Sequence, residues 1–437
     1  MLWNVTYSIS YLTGICISLF TQIIGISSIF TGSLCILSLF LQADFAAGLV
    51  FALVEWYNTD NHIDSKEGFR MKEKFTELAE IFGLPGEIIA IDLISNGNIN
   101  TTYDVHMTHE GKAYRYVFQK LNIFVFKSPK RIMKNIEKIT AHIADKLEAA
   151  GKSRDCVMHF AHTAEGKNYY MDEQGFWRIS EYVPGSVTYN SCEDLDKLRS
   201  AGQAFGEFQT MLADFDATAL YETIPNFHNT RSRLAVFFRH VNEDPCGRVE
   251  EVREEIEKIR AFKDMAVRLN ELVDSQELPL RVTHNDTKIN NVLFDAETGE
   301  AKTVIDLDTV MPGLVAHDFG DAIRYAANTA AEDEKDLSLV HLDMDRFRAF
   351  TEGFLSEVKS ALTPLEVQTL ALGAFTMTAE LAVRFLDDYI TGDAYFKTLY
   401  RGHNLVRTRC QIRLAEEMLS HMDEMNRIVS EVAGIAF

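Results

Sequence analysis

Paired cysteines and positive charge are what this chain lacks most. Its six cysteines, Cys16, Cys35, Cys156, Cys192, Cys246 and Cys410, are scattered over 437 residues with no C-x-x-C pair. That excludes a zinc ribbon or a redox dithiol and fits reduced thiols in a cytoplasmic protein. Basic residues number 43 against 64 acidic ones, a net charge of −21. Nonspecific nucleic-acid binding needs a positive surface, so no nucleic-acid partner is expected. Internal repeats are missing too, and the one biased tract is at the start. Residues 1–43 contain no charged side chain; Asp44 is the first.

The apolar start has three readings. Val5 to Leu41 is long enough to cross a bilayer once. It lacks the basic n-region of a signal peptide and is too long for one. It also lacks the positive flanks that would set an orientation. A membrane anchor and a buried helical hairpin are two readings. The third, which we prefer, is translation from upstream of the true start. Lys66-Glu67-Gly68 can be encoded by a purine-rich run of the kind that recruits a bacterial ribosome, and Met71 follows at the usual distance. We therefore expect residues 1–70 to be an extension and residues 71–437 to be the folded protein. A membrane partner is expected only if residues 1–56 are part of the native chain; the alternative localisation is then a membrane-anchored protein with a cytoplasmic domain.

What is present is a dense polar motif. His284-Asn285-Asp286-Thr287-Lys288-Ile289-Asn290-Asn291 is followed by Val304-Ile305-Asp306-Leu307-Asp308. Val292-Leu293-Phe294 and Thr303-Val304-Ile305 are short apolar runs separated by turn formers, which predicts a hairpin. Pairing would bring Asn291 and Asp306 to one edge, where the loop of Asp286 enters. Phosphoryl transfer needs such a set: a carboxylate to take the acceptor's proton, and oxygen ligands for the nucleotide's Mg²⁺. Asp286 is the candidate base; Asn291 and Asp306 are the candidate metal ligands. Asp308, Asp318 and Asp321 add acid nearby. Asp308 is expected to support the metal shell, and Asp321 to pair with Arg324. Asp318 follows His317 in an expected loop close to the same edge. That adjacency makes a metal site conceivable, though a hydrogen-bonding role is preferred, with Asp318 facing the acceptor.

These strings, with Val304-Ile-Asp-Leu-Asp-Thr-Val-Met-Pro-Gly313, His317-Asp-Phe-Gly-Asp-Ala-Ile-Arg324 and Arg384-Phe-Leu-Asp-Asp-Tyr389, resemble the aminoglycoside phosphotransferase and choline kinase superfamily. Within it the chain is most similar to the N-acetylhexosamine 1-kinase group, over roughly residues 75 to 425. The resemblance implies an α+β, protein-kinase-like two-lobed fold, with a small β-rich lobe (71–185) and a larger helical lobe (186–437), here preceded by the apolar extension. It implies ATP and Mg²⁺ as cofactors and a small sugar, GlcNAc or GalNAc, as the acceptor, phosphorylated at its anomeric hydroxyl. Arg384 and Tyr395 match positions that hold the sugar in that group. An ion pair of Arg384 with Asp387, Asp388 or Glu380 is the competing reading. Rival functions are a choline- or aminoglycoside-type kinase and a non-catalytic binding module.

The small lobe follows from the pattern. Lys74 to Phe82 reads as a helix, and Ile88–Ile94, Tyr103–Met107 and Tyr114–Leu121 as strands. The polar loop between the first two strands, including Asn98, would cover the nucleotide phosphates. The resemblance places a cation on the third strand. Lys120 is the candidate, with Glu137 as partner, but alternation lets only one of Gln119 and Lys120 face inward. Trp177 to Pro184 reads as a strand ending in a hinge, with Glu181 to Val183 (Glu181 and Val183 above all) meeting the base. Helices are expected over 129–147, 195–212, 249–272 (a solvated face), 365–386 and 401–422.

Overall fold

The computed structural model describes residues 65–94 and 99–436. Compactness divides the chain into residues 1–75 and 76–437. Of the first unit only the beginning of α1 (Ser65–Ile81) is described, so the apolar extension falls outside the described residues. The architecture is that of the second unit. Among the described residues no helix is long and apolar enough to cross a membrane.

The small lobe is a five-stranded antiparallel sheet in the order β1-β2-β3-β5-β4. Its strands are β1 (Glu87–Ile94), β2 (Thr101–His109), β3 (Lys112–Leu121), β4 (Tyr170–Asp172) and β5 (Gly175–Glu181). Their register places Gln119 opposite both Thr102 and Arg178. Helix α2 (Pro129–Ala149) buries Ile132, Met133, Ile136, Ile139 and Ile143, an i, i+3/i+4 stripe of the expected kind. The Asn135 side chain on that stripe donates to the carbonyls of Tyr221 and Val310 at 2.8 and 3.0 Å. The helix is thereby fastened to the second lobe.

After the hinge, β6 (Ser186–Val187) joins a three-stranded sheet, β6-β8-β9, and β7 (Arg281–Thr283) pairs with β10 (Met311–Gly313). The expected hairpin is β8 (Val292–Asp295) and β9 (Ala301–Val304), with Val292 opposite Val304. The remainder is helical: α3 (Leu195–Met211), α4 (Thr230–Glu243), α5 (Arg253–Ala266), α6 (Arg268–Asp274), α7 (Val315–Ala326), α8 (Met344–Val358), α9 (Pro364–Gln368), α10 (Leu370–Ile390), α11 (His403–Ser420) and α12 (Met422–Ala433).

Two long helical readings are broken. The 249–272 stretch is a short 3-10 turn followed by α5 and α6. It is not a merely solvated face, because Ile256, Ile259, Phe262 and Ala266 are buried. The 365–386 stretch opens on a capping box between Thr363 and Glu366 but is interrupted at Thr369, whose hydroxyl donates to the Glu366 carbonyl at 2.9 Å. The segment after Met311-Pro-Gly is a helix, α7, where a loop was expected. It presses against α10 so closely that a Cβ on Gly320 would lie 2.3 Å from the Gly373 carbonyl oxygen. Only glycine fits that approach.

Candidate active site

The hairpin delivers the catalytic edge. The Ile305 N–H donates to the Asn291 carbonyl at 2.9 Å, continuing the β8–β9 ladder to the last residue before Asp306. The Asn291 side-chain nitrogen donates to the Asp286 carbonyl at 2.8 Å and to its carboxylate at 3.1 Å. Lys288, two residues after Asp286, reaches its other carboxylate oxygen at 2.9 Å. Burial works against the Asp286 charge, but Lys288, His284 and Asn291 together hold its pKa below the ordinary carboxylate value. Lys288 was missed by the motif reading. The H-x-D-x-K spacing was a usable signal, since two residues on from Asp286 an extended loop returns to the same side.

The loop is held from behind. His284 donates from Nε2 to the Ile305 carbonyl at 2.9 Å and accepts at Nδ1 from the Asp286 N–H at 3.2 Å. Asp318, in the first turn of α7, is buried. Its carboxylate accepts the N–H groups of His284 (2.8 Å) and Asn285 (2.7 Å) and the Gln209 amide (2.6 Å). The structure thus puts Asp318 behind the loop of Asp286, and it does not line the cavity that Asp286 lines. The hydrogen-bonding reading fits its surroundings; the acceptor contact does not. Asn285 takes left-handed φ of 63° to make these bonds, its side chain reaching the Thr309 carbonyl at 2.9 Å. Asp321 and Arg324 pair at 2.9 Å, as expected.

A cavity of about 550 Å³ opens between the sheet and this edge. Asp286, Lys288, Asn291 and Asp306 line its floor, Val117, Met158, Phe160 and Leu293 its apolar slot, and Glu181, Tyr182 and Val183 its hinge side. The Glu181 carboxylate turns outward to Arg154 at 3.1 Å, so the hinge offers its backbone to a base. On β3 it is Val117 and Gln119 that face the cavity. Lys120 points to the opposite side of the sheet, against Trp177 and Gly175. This corrects the Lys120 reading: the β2–β3–β5 register fixes the phase of alternation in favour of Gln119. Glu137 pairs with His162 instead (3.5 Å). The cation that does line the cavity from the small lobe is Arg178 on β5. Asn98 lies outside the described residues; its neighbour Asn100 lines the cavity.

Arg384 lies apart from the cavity floor. Its guanidinium sits 5.4–5.9 Å from the ring centres of Phe227, Tyr395 and Phe396. Among the described residues it makes no ion pair. The three acids that compete for it by sequence distance are engaged elsewhere. Glu380 accepts from His228 (3.0 Å) and Thr230 (2.7 Å) and pairs with Arg233 (3.3 Å). Asp387 pairs with His240 at 2.7 Å, and Asp388 accepts the Tyr395 and Phe396 N–H groups at 2.8 and 2.9 Å. Beside Arg384 is a second cavity of about 270 Å³ that Arg233 also lines. His228 ties this cluster to the catalytic loop, its Nε2 lying 3.3 Å from the Asn285 carbonyl.

The residues present fit a divalent cation completed by a nucleotide. Asp306 takes left-handed φ of 60° and is exposed to the cavity; the protein packed around it, Asp308 and Asp286 push its pKa up to about 7. A carboxylate so crowded by negative charge wants a counter-charge. Asn291 spends its side-chain nitrogen on Asp286, which leaves its oxygen able to meet a cation. Among the described residues no three His, Cys, Asp or Glu side chains form a metal cage. Mg²⁺ keeps waters and phosphate oxygens among its ligands, so one carboxylate and one amide oxygen could hold it beside a nucleotide.

Residues 90–350 match the family model described as the phosphotransferase enzyme family. Solved structures resemble the chain in fold. An aminoglycoside phosphotransferase from Alicyclobacillus acidocaldarius superposes with a TM-score of 0.52 at 11% identity, covering 78% of this chain and 92% of the other. Spectinomycin phosphotransferase in complex with ADP and spectinomycin gives 0.45 at 14%, covering 83% and 97%. Choline kinase from Cryptosporidium parvum gives 0.46 at 12%, covering 79% and 93%.

Proposed function

This chain belongs to the phosphotransferase enzyme family, and from that premise we propose that it transfers the γ-phosphoryl group of ATP to the anomeric hydroxyl of an N-acetylhexosamine, GlcNAc or GalNAc, giving the sugar 1-phosphate. The observation that carries the transfer is the convergence of Asp286, Lys288, Asn291 and Asp306 on one cavity floor below an apolar slot and a hinge. Asp286 aims the acceptor hydroxyl and takes its proton at a carboxylate oxygen. A base held below the ordinary carboxylate range is weak. It suits a loose transition state, in which the nucleophile's proton leaves late and positioning matters most. Lys288, fixed against Asp286 at 2.9 Å, brings positive charge beside the group in transit. Bound between Asn291 and Asp306, Mg²⁺ would neutralise charge on the phosphate oxygens. Val117, Met158, Phe160 and Leu293 hold the base and exclude water.

The choice of a neutral sugar over a choline-like or aminoglycoside amine rests on Arg384. It combines a guanidinium without an ion pair, three aromatic rings and a neighbouring Arg233. Such a surface suits hydroxyl groups, an amide carbonyl and a flat sugar face. It repels a cationic acceptor. The alternative of a non-catalytic module is opposed by the complete Asp286–Asn291–Asp306 set. The test is Mg²⁺-dependent ATP turnover with N-acetylhexosamines, hexoses, choline and aminoglycosides, with the phosphate located by ³¹P NMR. Turnover is expected with GlcNAc or GalNAc, and an anomeric phosphate. A product phosphorylated elsewhere, or turnover confined to amines, refutes the acceptor. No turnover with any acceptor favours the binding module.

A further inference from the structure

Arg178 and Asp308 form an ion pair in which both side chains are almost wholly buried, at 3% and 2% exposure. The pair crosses from β5 of the small lobe to the turn that carries Asp306. The Arg178 Nε also donates to the Gln119 oxygen at 2.9 Å, and the Gln119 nitrogen donates to the Thr102 hydroxyl at 3.1 Å. On the other side, the Asn100 side-chain nitrogen donates to the second Asp308 oxygen at 2.7 Å. The Asn100 oxygen in turn accepts the Asn122 N–H at 3.0 Å. Asp308 is thus gripped at both oxygens, and both grips come from the small lobe.

We propose that Arg178, with Asn100, is the positioning residue of the metal-binding turn, so that the small lobe sets where Asp306 presents its oxygens to the metal ion of a bound nucleotide. This rests on the proposed nucleotide role of the cavity, though on no particular acceptor. The turn needs an external hold. Asp306 sits in the left-handed region at φ 60°, which a non-glycine side chain disfavours. It is followed by a single 3-10 turn, Leu307–Thr309, with no side-chain cap. The β8–β9 ladder ends with the Ile305 N–H and β10 starts at Met311, and among the described residues the intervening backbone is held from outside only at the carbonyls of Ile305, Thr309 and Val310. Between them the Asp308 side chain is the one pinned by charge. Arg178 can supply that hold because the strand position facing the cavity across from it is Gln119, a neutral residue that accepts from the guanidinium and does not compete for Asp308. A lysine could not reproduce it: the planar fork reaches Gln119 and Asp308 at once, and an ammonium on a flexible stem does not.

The test uses the full chain and ADP, without acceptor. Affinity is measured by calorimetry with Mg²⁺ and with EDTA, and the ratio of the two is the metal-dependent enhancement. Groups that orient metal ligands typically cost on the order of 10–100-fold in metal affinity when removed. Arg178→Met is therefore expected to lower the enhancement by about tenfold or more, while metal-free ADP binding changes little. Arg178→Lys should restore only part. Asn100→Ala, which leaves the buried pair intact and so spares the fold, should lower the enhancement by a smaller factor. An unchanged enhancement in folded Arg178→Lys and Asn100→Ala overturns the proposal. Equal loss with and without metal also overturns it, since Arg178 would then be a simple phosphate contact. A wild-type protein whose ADP affinity ignores Mg²⁺ refutes the nucleotide reading itself.

Discussion

Truncating Arg384 to alanine separates a sugar-binding role from a structural one, and the structure sets both magnitudes. The guanidinium makes no ion pair among the described residues, so its loss orphans no carboxylate. Glu380 keeps His228, Thr230 and Arg233. Burial opposes the Glu380 charge, yet His228 and the two arginines hold its pKa down at about 2, with Arg384 the smallest of these contributions. What the fold loses is contact with three rings at 5.4–5.9 Å. Part-exposed contacts of this kind are worth about 0.5–1 kcal/mol each, about 1.5–3 kcal/mol for the three, so the melting temperature should fall by roughly 3–12 °C at the slope of about 2–4 °C per kcal/mol typical of domains of about 150–250 residues. A charged hydrogen bond to the acceptor is worth about 1.5–3 kcal/mol. Its loss should lower kcat/KM for the sugar by roughly 10–150-fold. The KM for ATP should stay near wild type, because the nucleotide cavity is lined by other residues. Melting temperature and both KM values are measured on one preparation. A destabilised variant with normal sugar kinetics refutes the acceptor role and weakens the choice of N-acetylhexosamine.

Other substitutions test the rest of the site. Asp286→Asn should lower kcat by on the order of 10²–10⁴-fold and leave ADP binding in place; activity within a few-fold of wild type excludes Asp286 as the base. Lys288→Ala should slow turnover strongly, whereas Lys120→Ala, on the far face of β3, should leave ATP kinetics unchanged; equal effects in a steady-state assay would restore the strand-lysine reading. His317 should make the protein acid-sensitive. Burial and His228 push its pKa down to about 3. The unfolded chain therefore takes the proton first, and stability falls as pH drops below about 6.5, at up to about 1.4 kcal/mol per pH unit. His317→Gln removes that titration. Urea unfolding from pH 7 to pH 4.5 should find the variant's stability falling less steeply than wild type, and parallel curves would contradict the assignment.

What could be read from the sequence was local. The β8–β9 hairpin was legible because turn formers and apolar runs lie within fifteen residues, and its pairing alone brings Asn291 to Asp306. Periodicity made α2, α3, α10 and α11 legible, but not α4, α8 and α12; α7 stands where a loop was expected, and the breaks at Val267 and Thr369 were missed. A helix can bend its buried stripe around a core without any glycine or proline to mark the place. For β3, alternation was legible and its phase was not. Whether Gln119 or Lys120 faces the cavity depends on pairing with β2 and β5, which is a property of the sheet.

The acids around the metal turn make the same point in electrostatic terms. Asp306, Asp308, Asp318 and Asp321 lie within sixteen residues, and by residue type any of them is a ligand. The fold tells them apart by what it sets against each. Asp308 meets Arg178, 130 positions away, and Asn100, 208 positions away. Asp318 meets Gln209, 109 positions away, and two backbone N–H groups. Asp321 has Arg324 on the next helical turn, the one pairing that was close enough to foresee. Among the described residues, Asp306 alone of the four has no hydrogen bond or ion pair to its carboxylate, and it alone is exposed, opening onto the cavity while the other three are buried. A carboxylate that faces a cavity without a partner and is crowded by Asp308 and Asp286 raises its pKa or binds a cation. It is the placement of distant partners on its neighbours, more than any feature of Asp306 itself, that singles it out as the candidate metal ligand.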